Sequence, residues 1–203
     1  MKPREYRETP FVLPDETVFS VVALAHPRLW GQNPLNVFRY LQEKDVSVIF
    51  GLEAAPNFST LAEQVGIEYR DVSIPDFTAP SFELYDRVYE EFLRQAHLGK
   101  KIAIHCHGGM GRTGTVLVAL KLIEMSLLSE SFCDENKHKK RLDSLSEKCT
   151  GNVYDALVYL RKIPGNEGIV ESDSQIRSLC EYDEILQSRR LIQQNTHSTS
   201  NYR

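Results

Sequence analysis

The stretch IHCHGGMGRTG, residues 104–114, holds two histidines, one cysteine, one arginine and four glycines within eleven positions. An apolar run precedes it and a helix-like pattern follows it. Two motifs fit the same letters. Residues 109–114 have the G-x-G-x-x-G spacing of a dinucleotide-binding turn. Cys106 and Arg112 form a C-x5-R pair, in which a nucleophile and an anion-binding side chain flank a glycine-rich loop.

The nucleotide-binding interpretations fit the surrounding sequence poorly. A dinucleotide-binding fold places an acidic residue about 20 positions after the glycines, at the end of a second strand. Asp134 lies at that distance, but its polar neighbours do not resemble a strand. A mononucleotide-binding loop needs Lys followed by Ser or Thr where this chain has Thr115 and Val116. Both interpretations leave Cys106 and Arg112 without a role.

The C-x5-R interpretation uses every unusual residue of the stretch. Glycines at positions 108, 109 and 111 permit successive backbone N–H groups to turn inward and surround an anion. The N-terminus of the following helix adds positive potential at the same place. This field favours the thiolate form of Cys106, which is the nucleophilic form. We therefore expect transfer of a phosphoryl group to Cys106.

Arg112 and Thr113 extend this chemistry into the helix. A cation in the first turn of a helix opposes the helix dipole, at a cost of roughly 0.3–1 kcal/mol, and such a violation of a local rule often marks a functional site. The planar guanidinium of Arg112 could bind two phosphoryl oxygens and stabilise the charge of the transition state. Thr113 could donate its hydroxyl to the departing sulfur, or it could cap the helix.

A general acid is expected outside the loop, because the leaving oxygen of a phosphomonoester needs a proton. The segment SIPDFTAPS, residues 73–81, offers Asp76 after a predicted strand. Loops at the carboxyl ends of parallel strands share one edge of the sheet, so this loop could close over Cys106. Phe77 and the flanking prolines would desolvate Asp76 and favour its protonated form. An ordinary Pro-Asp turn is the alternative.

The periodicity of the sequence predicts an α/β fold, a single domain with a central, largely parallel sheet flanked by helices. We predict an N-terminal arm over residues 1–15, a domain over residues 16–190 with a charged insertion at 129–150, and a flexible tail over 191–203. The predicted strands are residues 17–24, 46–50, 67–74 and 101–105. The predicted helices are residues 34–44 (capped by Asn33), 58–65, 80–97, 113–128, 152–162 and 172–188.

Composition narrows the classes of protein. The 203 residues carry a formal charge of −4, which disfavours a dedicated nucleic-acid-binding protein. The four cysteines are scattered without a C-x-x-C pair, as is typical of a reducing compartment. The N-terminus has no apolar leader, and no run of residues is long enough to span a membrane. We expect a cytoplasmic protein, or one delivered into the cytosol of a host cell.

Two segments resemble the protein tyrosine phosphatase superfamily, specifically its small atypical dual-specificity phosphatases. HCHGGMGRTG is similar to the signature HCxxGxxR(S/T)G, and IPDFTAP is similar to the mobile acid-loop pattern. The resemblance implies Cys106 as nucleophile, Arg112 as phosphate-binding residue and Asp76 as general acid and then general base. It also implies that Thr113 donates to the leaving thiolate and that His105 supports the cysteine through hydrogen bonds.

The resemblance also implies a substrate-binding loop and a cofactor-independent reaction. Backbone donors to the phosphoryl group would come from the loop residues His107, Gly108, Gly109, Met110 and Gly111. Gln175 matches the second glutamine of a stretch that positions the hydrolytic water, whereas Glu171 stands where classical tyrosine phosphatases have the first. No metal or organic cofactor is expected, and neighbouring strand residues face opposite ways, which disfavours a metal site on the triplet 105–107.

Phosphorylated proteins are the expected substrates, with phosphotyrosine favoured and phosphoserine or phosphothreonine also accepted. The signature loop has no lysine of the kind that lipid-directed relatives carry, which disfavours phosphoinositides. The alternatives are a phosphoinositide phosphatase, an RNA 5′-phosphate phosphatase with the same loop, and a non-catalytic phosphate-binding module.

Overall fold

The computed structural model describes residues 2–128, 149 and 151–200, with side chains described through residue 193. A five-stranded sheet forms its centre. The strands are Arg7–Val12 (β1), Val18–Leu24 (β2), Val46–Gly51 (β3), Glu68–Asp71 (β4) and Lys101–His105 (β5). Their spatial order is β1-β2-β5-β3-β4; β1 runs antiparallel to β2, and the other neighbours are parallel. The predicted α/β domain with a largely parallel sheet is confirmed.

Helices cover both faces of the sheet. They are Pro34–Gln42 (α1), Phe58–Glu63 (α2), Phe82–His97 (α3), Gly111–Leu128 (α4), Gly151–Arg161 (α5) and Asp173–Ser200 (α6), with a short 3-10 turn at Leu29–Gly31. Buried side chains of α1 and α2 form one apolar cluster with the sheet, and those of α3, α4, α5 and α6 form a larger one. The central helix α4 is buried along nearly its whole length.

Local sequence signals explain where these helices begin. The side chain of Asn33 accepts a hydrogen bond from the Leu35 amide at 2.9 Å, and Pro34 occupies the first helical position. Ser81 accepts in the same way from the Leu84 amide at the start of α3. The prediction of Asn33 as a cap is confirmed.

The prediction of an N-terminal arm over residues 1–15 is wrong, because Arg7–Val12 form the edge strand β1. Two features conceal this strand in the sequence. Pro10 is compatible with an edge strand, although it is unfavourable in a central one. The alternating buried positions include the polar Arg7 and Thr9, so the strand lacks the usual apolar period.

The C-terminal boundaries differ as well. Helix α6 continues to Ser200, so the tail predicted for residues 191–203 is helical over most of its length. Of the predicted insertion at 129–150, which includes the basic run at 137–141, only Cys149 lies among the described residues.

Four parallel strands end at one edge of the sheet. The register places His105 of β5 beside Leu24 of β2 and Gly51 of β3, and Gly51 pairs in turn with Asp71 of β4. The segments that follow β2, β3, β4 and β5 therefore meet at this edge, where open α/β sheets bind ligands.

Candidate active site

The loop after β5 holds Cys106 at the base of the edge. Cys106 is only 3% exposed, and its Sγ accepts a hydrogen bond from the Gly109 amide at 3.2 Å. Gly109 has a φ of +79°, and a Cβ at that position would lie 2.7 Å from the Leu24 carbonyl oxygen. The loop therefore requires glycine at 109. Gly108 faces open space with ordinary φ, so the predicted need for glycine does not extend to that position.

The loop is anchored through two of its carbonyl groups, which leaves three of its amides available. The His107 carbonyl accepts from the His26 amide at 2.8 Å, and the Gly109 carbonyl accepts from the Arg7 guanidinium. The amides of His107, Gly108 and Met110 donate to no residue within 2–128, 149 or 151–200. Successive backbone amides that are free to donate form a cradle for an anion.

Arg112 is buried in the first turn of α4, as predicted. Its Nη1 donates to the Leu52 and Ile74 carbonyl oxygens at 3.3 and 3.0 Å, which fixes the guanidinium plane. Its Nη2 lies 3.4 Å from Glu53 Oε2 and 3.1 Å from Asp76 Oδ1. The Nε is buried and has no hydrogen-bond partner in the described part of the chain. The Nε is therefore available to a ligand. The Nη2 contacts only the carboxylates of Glu53 and Asp76 at the mouth of the site.

Thr113 follows Arg112 and is fully buried. Its hydroxyl has no hydrogen-bond partner among the described residues. The helix-capping alternative is therefore not realised, and the hydroxyl remains able to donate to a ligand or to sulfur.

Asp76 lies at the mouth of the site, on the loop 73–79, which we call the acid loop. Its carboxylate is 59% exposed, and the neighbouring Phe77 side chain is also directed to solvent. The predicted desolvation of Asp76 by Phe77 is therefore wrong for this conformation. The Phe77 carbonyl accepts hydrogen bonds from the Ser172 and Ser174 hydroxyls, both at 2.8 Å, which hold the acid loop against the start of α6.

Gln175 is buried beneath this contact and uses both ends of its amide. Its Oε1 accepts from the amides of Glu171 and Ser172 at 2.8 and 3.2 Å, while the Gln175 amide donates to the Ser172 hydroxyl. This is a capping box at the start of α6. Its Nε2 donates to the Thr78 carbonyl at 3.3 Å. Gln175 thus joins the acid loop to α6, and the second hydrogen of its Nε2 has no partner among the described residues.

Glu171 approaches the phosphate loop from the other side. A Cβ at Gly111 would overlap the Glu171 carboxylate, so the glycine at 111 makes room for an acidic side chain. This contact adds a third carboxylate to Glu53 and Asp76 at the mouth of the site.

His105 supports the cysteine from within the sheet. Its Nδ1 donates to the Cys106 carbonyl at 3.2 Å, and its Nε2 accepts from the Tyr69 hydroxyl at 2.9 Å. Because the carbonyl can only accept, these partners define one neutral tautomer. Burial is the main cause that lowers the pKa of His105 to about 3. His107 is exposed, and its Nδ1 lies 3.1 Å from Glu53 Oε1.

Glu53 and Arg7 are two residues of the site that were not predicted from the sequence. Glu53 follows β3, whose carboxyl end belongs to the same edge as β5, so the rule that located Asp76 could also have found it. Arg7 had no comparable signal, because its strand was concealed by polar inward-facing residues.

Comparison with known proteins agrees with this geometry. Residues 27–125 match the family model described as a polymorphic toxin system DSP-PTPase phosphatase. The fold is similar to the crystal structure of Tk-PTP in its active form, with 27% identity, 81% of this chain and 91% of that chain covered, and a TM-score of 0.55. The chain has the fold of the protein tyrosine phosphatase superfamily and is similar to its dual-specificity phosphatases.

Other solved phosphatases share the superfamily fold. Kinase-associated phosphatase, with its catalytic cysteine replaced by serine, has 21% identity and a TM-score of 0.62, with 92% of this chain and 97% of that chain covered. PTPMT1 in complex with PI(5)P has 17% identity and a TM-score of 0.59, with 83% and 93% covered. A comparison with curated protein sequences finds no match.

The described residues were compared with the requirements for a metal site and for a membrane-spanning helix. No group of three or more His, Cys, Asp or Glu side chains within the described residues is arranged to hold a metal ion. None of the helices in the described ranges combines the length and the apolar character needed to cross a membrane.

Proposed function

We propose that this phosphatase hydrolyses phosphotyrosine, and also phosphoserine or phosphothreonine, in proteins through a phosphocysteine intermediate on Cys106. One observation carries the proposal. In the segment 106–113, the amides of His107, Gly108 and Met110, the Arg112 Nε and the Thr113 hydroxyl are all donors without acceptors among the described residues. A tetrahedral phosphoryl group supplies the acceptors that such a set requires.

In the first step the Cys106 thiolate attacks phosphorus, the S–P bond forms, and the bond from phosphorus to the leaving oxygen breaks. The loop amides and the guanidinium of Arg112 bind the non-bridging oxygens and stabilise their charge in the transition state. Incoming phosphoryl oxygens take the place of the Asp76 carboxylate on Nη2, where it now lies 3.1 Å away. Asp76, in its protonated form, then gives its proton to the leaving oxygen.

In the second step water attacks phosphorus and the S–P bond breaks. Asp76, now ionised, accepts the proton of the attacking water. The sulfur departs as a thiolate, which the Thr113 hydroxyl stabilises by donating a hydrogen bond. The products are inorganic phosphate and the regenerated Cys106 thiolate.

The charge at the mouth of the site supports a substrate with one phosphate. Glu53, Asp76 and Glu171 place three carboxylates around the cradle, and each would repel further phosphates on the same ligand. The loop itself contributes no lysine. These features favour phosphorylated proteins over polyphosphorylated lipids or RNA 5′-phosphates. The toxin-system description of the matching family supports delivery of the chain into the cytosol of another cell.

Phosphate release in the presence of EDTA tests the proposal. The substrates are a phosphotyrosine peptide, a phosphoserine/phosphothreonine peptide and a phosphoinositide, each compared between wild type and Cys106→Ser. We expect release from the peptides, fastest from phosphotyrosine, and none from the serine variant. Turnover of the lipid alone would overturn the substrate class. Binding of phosphopeptide without release by either protein would show a phosphate-binding module instead.

A further inference from the structure

Arg7 is a buried cation beside the phosphate loop. It is 5% exposed and begins β1, next to β2 at the edge of the sheet. Its guanidinium donates to three neutral oxygens. These are the Gly109 carbonyl, the Asn166 side-chain carbonyl and, at 3.1 Å, the Glu5 carbonyl.

The positive charge of Arg7 has no carboxylate within ion-pairing distance among the residues that the structure describes. A buried charge without a counter-charge is costly. Burial accordingly lowers the pKa of Arg7, and the Cys106 thiolate is the strongest influence in the opposite direction, ahead of Glu5 and Glu167. Both glutamates are exposed and screened by water, which leaves Cys106, buried in the same loop that Arg7 contacts through the Gly109 carbonyl, as a nearby interior group able to carry a negative charge.

We propose that Arg7 is a positioning residue of the phosphate loop, which fixes the Gly109 peptide and supplies a permanent positive charge that favours the thiolate of Cys106. The proposal rests on the proposed function, because it assigns a role in the same reaction. Arg7 does not touch the reacting atoms; it acts through the loop and through its charge.

The contact with Gly109 has a geometric consequence. In a trans peptide the C=O and the next N–H point in opposite directions. Since Arg7 holds the Gly109 carbonyl, the Met110 amide points away from Arg7, and this amide is one of the cradle donors without a partner in the described chain. Arg7 thereby orients one donor of the anion cradle.

A second layer of contacts holds Arg7 in place. Asn166 is fully buried, accepts from the Arg7 Nε and donates through Nδ2 to the Thr9 hydroxyl at 3.2 Å. The arginine is therefore fixed by a neutral amide where a carboxylate would be the usual partner. A carboxylate at this position would neutralise the charge that the thiolate needs.

Alkylation of Cys106 by iodoacetate measures the thiolate without any substrate. Iodoacetate reacts with the thiolate, so the rate at pH 6 relative to that at pH 9 falls when the thiolate is less favoured. We expect this ratio to fall about tenfold in Arg7→Met, and to stay within about threefold of wild type in Arg7→Lys, which retains the charge. Arg161→Met is the matched control, because Arg161 also donates to a backbone carbonyl, that of Ile169, at 2.7 Å. Its ratio should equal that of wild type.

Asn166→Asp provides a second variant that keeps Arg7. It places a carboxylate beside the guanidinium, and we expect the pH 6 to pH 9 ratio to fall severalfold while circular dichroism shows an intact fold. This variant decides the question if Arg7→Met does not fold. A folded Arg7→Met, or a folded Asn166→Asp, with the wild-type ratio would overturn the proposal.

Phosphate release by the same proteins separates this proposal from the function itself. If wild type and Cys106→Ser release no phosphate from any substrate, the proposed function fails, although the alkylation ratios still test the role of Arg7. If wild type is active and Arg7→Met keeps both its ratio and its kcat, the proposal for Arg7 fails alone.

Discussion

The phosphate loop and the acid loop serve one site but are held in different ways. The phosphate loop, residues 106–112, is buried at Cys106 and Arg112 and anchored by its carbonyls, with Gly109 in a conformation that glycine favours. The acid loop is exposed and held by side-chain hydrogen bonds from Ser172, Ser174 and Gln175. A preorganised cradle stabilises charge without rearrangement, whereas a separate acid can withdraw to admit substrate. The contrast predicts different sensitivities to mutation.

The largest effect is expected in the rigid loop, with Arg112→Lys. A lysine lacks the planar fork and cannot bind two phosphoryl oxygens while also holding the Leu52 and Ile74 carbonyls. We expect kcat/KM for a phosphotyrosine peptide to fall by about a thousandfold. Arg161→Lys is the control and should change it little. A loss of less than tenfold would show that the cradle does not depend on the guanidinium.

A smaller loss is expected in the acid loop, with Asp76→Asn. Loss of the proton donor should lower kcat for the phosphotyrosine peptide by about a hundredfold. The loss should be much smaller for p-nitrophenyl phosphate, whose leaving group needs no proton. Asp71→Asn, at the end of β4, is the control for a neighbouring carboxylate. Equal losses on both substrates would exclude Asp76 as the acid.

Removing one hydrogen bond between α6 and the acid loop is expected to raise the rate of proteolytic cleavage a few-fold. Ser174→Ala removes one of the two hydroxyl donors to the Phe77 carbonyl but leaves the capping box of Ser172 and Gln175 intact. A net contribution of about 0.5–1.5 kcal/mol per hydrogen bond predicts roughly 2- to 10-fold faster chymotryptic cleavage after the exposed Phe77. Ser188→Ala, farther along α6, should have no effect. An unchanged cleavage rate would mean that the loop is not held by this contact.

The strand that leads into the phosphate loop should make stability depend on pH through His105. An unfolded histidine is protonated below about pH 6.5, whereas folded His105 stays neutral down to about pH 3. Its contribution is therefore complete above pH 6.5 and is lost as the pH falls, by about 1.4 kcal/mol per pH unit. Urea unfolding between pH 7 and pH 5 should show a shallower decline in His105→Asn than in wild type. His97→Asn, an exposed histidine at the end of α3, should keep the wild-type decline.

The phosphate loop could be predicted from the sequence. The C-x5-R spacing, the strand before it and the helix after it are local features, and local chemistry explains them. Asp76 was identified because strand ends share one edge of a parallel sheet, and its position beside Arg112 agrees with that reasoning. Glu53 follows β3 and lies at the same edge of the sheet, but no motif surrounds it in the sequence.

What the sequence did not reveal depends on contacts between distant residues. Arg7 lies 102 positions from Gly109, and its burial is decided by tertiary packing that no local pattern encodes. Phe77 was predicted to desolvate Asp76, but its ring faces solvent. The start of α6 contacts the Phe77 carbonyl and not the ring. The sequence also did not reveal that the Gln175 side chain joins the start of α6 to the acid loop.

The capping box at the start of α6 forms a preformed binding surface for the acid loop. Ser172 and Gln175 are positioned by their bonds to each other and to the helix backbone, and those bonds remain when the loop departs. Closing the site is then the docking of a short segment onto a surface that is already formed. The entropy lost falls on the loop alone, and the prolines at 75 and 80 reduce it further by narrowing the conformations of the open state. The conformational entropy lost on closure is thus limited by residues outside the phosphate loop.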